Sequence, residues 1–292
     1  MSLSVLFLTL VMLGRITLLG YERIQFKKAG RNQDALVSTF LLFAIAGVML
    51  LPMIFFASFE AINGLLNALV SGTVYSIAFV LYVHVLSHYE ASLVSPFYNF
   101  NAFFLLILSM IFLGENFTWF KLVGVLFLFI GTFFLDRKQR TNFKENITAL
   151  FTNRGCLLMI LVSFLVAIGR IIDGLFVKTT TDPFLYAIIQ YCTISLYLFG
   201  IILVTRRIRL IASIFASHYK NFLLGSFANA YSYILLLVSI ALLHLELSIA
   251  EPLSMLSLLV TMVLSVWLLR EEIKGRIVGA LLMIAGGIFL VL

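Results

Sequence analysis

Charge is what this chain lacks most. Only 11% of its 292 residues are Asp, Glu, Lys or Arg, against about a quarter in a soluble domain, too few to cover a water-facing surface. A soluble fold is excluded. Cysteine is nearly absent: Cys156 and Cys192 both lie in apolar segments, so neither a disulfide framework nor a thiolate zinc cluster is available, and the redox compartment stays open. Four prolines permit only a few helix breaks. Barrel strands of about ten residues with alternating polarity are also missing, because the apolar runs are much longer.

What the chain has instead is apolar residues, 62% of the total with 29 Phe among them, at a mean hydropathy of +1.12. Run lengths and breakers predict ten segments, at about 3–22, 35–57, 62–86, 90–113, 118–135, 156–177, 184–204, 221–243, 247–269 and 275–292. A hydrocarbon core ~30 Å thick takes roughly 20 apolar residues per helix, so ten spans fill about 200 residues and leave about 90 for loops. No separate soluble domain fits. The expected fold is an all-α polytopic membrane protein of ten transmembrane helices. Its first segment carries Arg15, with no charged region before it and no small-residue cleavage site, and is expected to be a span rather than a cleaved signal peptide.

The formal net charge of +7 reads as an orientation signal, because the basic residues lie between spans. Arg23, Lys27, Lys28 and Arg31 fall in the first connection, and Arg137, Lys138, Arg140, Lys144 and Arg154 in the central one. Arg206, Arg207, Arg209 and Lys220, then Arg270, Lys274 and Arg276, fall in the seventh and ninth, while Lys121 and Lys178 alone lie on the other side. The positive-inside rule makes the odd-numbered connections cytoplasmic and sends both termini outward. The expected location is a plasma membrane of the bacterial inner-membrane kind, multi-pass, with the lipid bilayer as a partner and no nucleic acid.

The chain is written twice. Residues 88–96 read HYEASLVSP and residues 244–252 read HLELSIAEP, so His, Glu, Ser and Pro recur at one offset. Gly124 and Gly131 are matched by Gly279 and Gly286, and Gly14-Arg15-Ile16 by Gly169-Arg170-Ile171. The division that follows is a first repeat at 1–135, a basic cytoplasmic linker at 136–155 and a second repeat at 156–292. Five helices per repeat is an odd number, so the second copy enters the membrane from the opposite side. Inverted repeats place a binding site near the midplane at their interface, with access alternating as one copy rocks against the other.

Glu251-Pro252 opening a span, LLREE at 268–272 and GALLMIAGG at 279–287 resemble the EamA-type members of the drug/metabolite transporters. FLGE at 112–115 with GVLFLFIG at 124–131 repeats the same pattern in the first half. Arg270 departs from it where a glycine is expected, and the turn after it is one residue shorter than in the first copy. The resemblance implies a cavity walled by the first, third, fourth, sixth, eighth and ninth helices. It says little of substrate, since the family moves amino acids, sugars, drugs and other metabolites on one scaffold.

Intramembrane charge is costly and marks a functional or paired site. Arg15 and Arg170 sit halfway through the first helix of each repeat. Asp173 shares the helix face of Arg170, whereas no acid lies close to Arg15 on its own face, which makes Arg15 the stronger candidate for a substrate carboxylate or phosphate. The competing reading has both arginines bracing neighbouring helices, through backbone carbonyls or Glu251. Glu251 itself, next to Pro252, is a candidate coupling residue, with Asp173 and His84 as further coupling or gating candidates.

Tyr75 and Tyr231 match at the repeat offset and, with Asn99 and Asn229, are candidate substrate contacts; packing is the alternative for each. Glu90 and Glu246 are expected to cap their helices, His88 and His244 to sit on opposite faces, and the four matched glycines to serve helix packing. No HExxH, GxSxG or phosphate-binding glycine loop occurs, so no enzyme, cofactor or metal is expected. The expected function is secondary transport of a small polar, anionic metabolite, with protons or a counter-substrate as candidate partners. A flippase for a lipid-linked substrate and a non-transporting receptor or scaffold are the alternatives. Oligomeric state is not readable.

Overall fold

The computed structural model describes residues 3–30, 33–57, 62–89, 95–135, 153–179, 182–269 and 277–292. Glu90, Arg31, most of the basic linker and the turn holding Arg270, Lys274 and Arg276 lie outside the described residues. Among those described there is no strand. The helices are α1 (Leu3–Ala29), α2 (Ala35–Leu50), α3 (Ile62–His88), α4 (Asn101–Leu108), α5 (Trp119–Leu135), α6 (Arg154–Thr179), α7 (Pro183–Val204), α8 (Arg209–Ala241), α9 (Leu247–Ser254), α10 (Ser257–Leu269) and α11 (Ile277–Val291). Among the described residues seven stretches are long and apolar enough to cross a membrane, and Phe97–Leu113, Trp119–Thr132 and Ile277–Val291 are shorter apolar helices.

Local chemistry explains several boundaries. Asp34 accepts from the Val37 amide at 3.0 Å and starts α2. Asp182 accepts from the Phe184 and Leu185 amides just ahead of α7, whose first residue is Pro183. These are the positions where a carboxylate and a proline suit a helix start. Two boundaries differ from the sequence expectation. Helix α1 runs on to Ala29, so Arg23 is a helical residue and not part of a loop. Helix α8 starts at Arg209 and bends at His218, where φ is −137° and ψ is 28°, before entering the expected span.

The packing pattern is unchanged when the halves are exchanged. Helix α1 lies along α8 as α6 lies along α3; α2 touches α8 as α7 touches α3; α1 meets α10 as α6 meets α4. Two contacts map onto themselves, α2 with α7 and α5 with α11. At the α5–α11 crossing a Cβ on Gly124 would lie 2.9 Å from the Gly286 oxygen, and one on Gly286 would lie 2.7 Å from the Gly124 oxygen. The backbones touch because neither residue has a side chain. Many large apolar side chains are exposed, such as Phe55, Val204 and Trp267, while Arg15, Asp173, Gln190 and Ser71 are buried. Apolar outside and polar inside is the arrangement that lipid, not water, favours.

Candidate functional site

Helix α9 is short because Pro252 sits inside it and lacks the N–H that would continue the ladder. The chain turns at Met255 and Leu256 before α10 begins. That break presents Glu251 and Ser254 to the centre of the bundle. Arg15 of α1 donates through Nη2 to Glu251 Oε2 at 2.5 Å, through Nε to Ser254 Oγ at 2.5 Å, and through Nη1 to the Ser232 carbonyl of α8 at 2.9 Å. Its side chain is 2% exposed. The expectation that Arg15 lacks an acid is corrected here: its partner comes from the other repeat, where helix-face spacing along α1 could not reveal it.

Arg170 of α6 donates through Nε to the other oxygen of the same carboxylate, Glu251 Oε1, at 2.8 Å. Its Nη1 reaches Asp173 Oδ2 at 3.3 Å, the i,i+3 pair expected from the sequence. The guanidinium lies 5.4 Å from the ring centres of both Tyr75 and Tyr233, in range for cation–π attraction. Glu251 is therefore a bridge between arginines at equivalent positions of the two halves.

Asp173 is fully buried and ties α3, α6 and α7 together. Its Oδ1 accepts from Ser71 at 2.6 Å, Tyr186 at 2.8 Å and Gln190 at 2.9 Å, and its Oδ2 from the Tyr75 hydroxyl at 3.0 Å. Along α1, Glu22 Oε1 accepts from Asn229 Nδ2 at 3.1 Å, and Asn229 Oδ1 accepts from Tyr191 at 2.7 Å. Glu22, Asp173 and Glu251, with Arg15, Arg23 and Arg170, are thus charged residues well inside candidate spans.

The structure brings Arg15, Arg170, Glu251, Asp173 and Tyr75 together, and pairs Asn229 with Glu22 and Tyr191 instead. It does not bring the other candidates there. Asn99 donates to Thr132 of α5 at 3.1 Å. Tyr231 packs its ring 4.4 Å from Phe227, and Tyr233, two residues on, meets Arg170 instead. His84 is exposed near the end of α3, 4.2 Å from His88 ring to ring. Ser71, Tyr186 and Gln190 were missed by sequence reasoning; the available signal was Gln190, an amide inside an otherwise apolar span.

At one end of the bundle Glu115, of the FLGE turn, accepts from the Leu247 and Ser248 amides at 2.7 and 2.9 Å and caps α9. Glu246 stands at the N-cap position of α9, as expected, but its side chain makes no capping hydrogen bond. Its carboxylate takes Lys121 Nζ, which also donates to the Asn116 carbonyl at 2.7 Å. The first-half turn therefore holds the start of the second-half broken helix.

No group of three or more His, Cys, Asp or Glu is gathered to hold a metal ion among the described residues. The model of the EamA-like transporter family matches residues 6–136 and again 153–292. One solved crystal structure shares the fold with a TM-score of 0.69 at 13% identity, covering 97% of this chain and 95% of its own. No curated protein matches significantly. Matched by the family model over both halves, the chain belongs to the EamA-like transporter family of the drug/metabolite transporter superfamily.

Proposed function

We propose that this protein is a secondary transporter that carries a small polar, anionic metabolite by alternating access. In this reading it has ten spans in two inverted five-helix repeats, 1–135 and 156–292, joined by a basic cytoplasmic linker at 136–155. Both termini face outward from a plasma membrane. The observation that carries the reading is the Arg15–Glu251–Arg170 bridge. Buried ion pairs are a poor way to stabilise a fold, since apolar replacements of the same volume do as well or better. They suit an interface that must come apart and re-form. A substrate oxyanion that displaces the Arg15 arm of Glu251 would exchange one pairing for another during the rocking step, with Glu251 still held by Arg170. Protons or a counter-substrate would provide the driving force through the freed carboxylate.

Flux through proteoliposomes containing only this protein is the test, with a pool of radiolabelled hydroxy acids, keto acids and sugar phosphates. Saturable uptake lost in folded Glu251→Gln is the expected result. No flux above protein-free vesicles for any solute in the pool would remove the reading. Orientation is checked separately by an impermeant thiol reagent on intact cells expressing Arg140→Cys or Arg207→Cys. Protection is expected at both, and labelling at both inverts the topology.

A further inference from the structure

Of the described arginines Arg15, Arg23 and Arg170, two lie within ion-pair distance of a carboxylate and one does not. Arg23 Nη1 is buried with no hydrogen-bond partner. No carboxylate lies within ion-pair distance of Arg23 among the described residues. A buried N–H left unmet is expensive, because it has lost its water and gained nothing in return.

Its surroundings are specific. Arg23 lies about 12 Å beyond Arg15 along α1 at 1.5 Å per residue, rotated by about 80° from it at 100° per residue. Glu22 is turned back by about 20° onto the Arg15 face, where Asn229 of α8 holds it. So the adjacent acid points at α8 while Arg23 points elsewhere. The groups that interact electrostatically with Arg23 are Glu22 first, then Tyr98, Tyr82 and Glu251, though neither acid comes within ion-pair distance of it, and Tyr98 interacts in turn with Arg170 and Glu251. The two rings sit 5.7 Å apart at 63°, edge to face. Both are partly buried, and no described residue hydrogen-bonds either hydroxyl. Helix α1 packs along α8, α9 and α10, and α3 along α6 and α7, so Arg23 and Tyr82 belong to helices that are not pressed together.

We propose that Arg23, with the hydroxyls of Tyr82 and Tyr98, is an oxyanion-binding subsite that takes a carboxylate or phosphate group. A planar guanidinium fork matches two oxygens of such a group, and two phenolic O–H donors supply the remaining contacts. A neutral or cationic ligand would gain nothing from the Arg23 charge. The same chemistry is carried by a soluble acid and by a phospholipid headgroup. Placing the subsite on a translocation path rests on the transport reading above; binding of the oxyanion does not.

The test uses the purified full-length protein in a neutral detergent at fixed ionic strength. Equilibrium dialysis with radiolabelled benzoate and inorganic phosphate reports soluble anions, and native mass spectrometry with phosphatidylglycerol against phosphatidylcholine reports headgroups. Saturable binding in at least one arm is expected, weakened about tenfold or more in Arg23→Gln by loss of a charge-assisted bond. Arg23→Lys should recover part of it, Lys28→Gln should bind as the parent does, and Tyr82→Phe/Tyr98→Phe should bind several-fold more weakly. Should Arg23→Gln not fold, the lysine and double phenylalanine variants decide. A response in the soluble arm assigns a solute, and a response in the lipid arm alone assigns a headgroup. The proposal is overturned by no binding in either arm, or by binding that Arg23→Lys and the double variant leave unchanged. A protein that binds benzoate through Arg23 but carries no solute in proteoliposomes keeps the subsite and loses the transport reading.

Discussion

Replacing Glu251 by Gln keeps the volume and one acceptor while removing the charge that two arginines share. Glu251 is the only acid within ion-pair distance of Arg15 among the described residues, and Arg15 is 2% exposed. Arg170 is better protected, because it keeps Asp173 at 3.3 Å and two tyrosine rings. Breaking a buried ion pair by removing one partner costs about 3–5 kcal/mol. The amide oxygen of Gln can still accept from one guanidinium, so the expected loss is about 2–4 kcal/mol, most of it at Arg15. Unfolding by sodium dodecyl sulfate in mixed micelles, followed by circular dichroism, measures it. A double-mutant cycle with Arg15→Gln apportions it: the double variant should be more stable than the sum of the singles by about 1 kcal/mol or more. A Glu251→Gln protein within about 0.5 kcal/mol of the parent, or a cycle that closes to zero, would refute the reasoning that the bridge neutralises Arg15.

Asp173→Asn should be similarly damaging, at about 3–5 kcal/mol, because either orientation of the amide turns an NH₂ group toward donors on Ser71, Tyr186 and Gln190 or on Tyr75 and Arg170; the same micelle assay reads it. Gly286→Val places a Cβ 2.7 Å from the Gly124 oxygen and should cost about 1–3 kcal/mol or more as overpacking. Gly200→Ala meets nothing within 4 Å and should gain up to about 1 kcal/mol from helix propensity; equal effects at the two glycines would contradict the account of the α5–α11 crossing. Glu115→Ala removes both amide bonds at the start of α9 and should cost about 0.5–2 kcal/mol, with faster hydrogen exchange at Leu247 and Ser248 than elsewhere in the helix. Exchange unchanged there would mean that the cap does not hold the helix start.

The membrane class and the two-repeat organisation were legible in the sequence, because each is a property of chain order. Apolar run length reports what a helix must cross, and a constant offset between matched motifs reports duplication whatever the final packing. The Arg170–Asp173 pair was legible for the same reason, since three residues along a helix fix a shared face. The glycines of α5 and α11 were legible as packing residues by their spacing. The Arg15–Glu251 pair could be named in the sequence as one of two alternatives but not chosen, because its partners are 236 residues apart. Nothing along α1 reports which side chain the break at Pro252 turns toward it.

Arg23 shows the opposite failure. In the sequence it opens a run of basic residues and reads as a loop signal, yet α1 continues through it and leaves its Nη1 buried. Whether a charge near the end of a span is solvated or buried depends on how far the helix runs and on what packs beside it, and both are set by neighbours from the other half of the chain. Composition therefore determined that the interior charges would have to be paired. Only the tertiary structure decided which of them found partners, because pairing in a low-dielectric interior depends on a few ångströms between helices that sequence order does not encode.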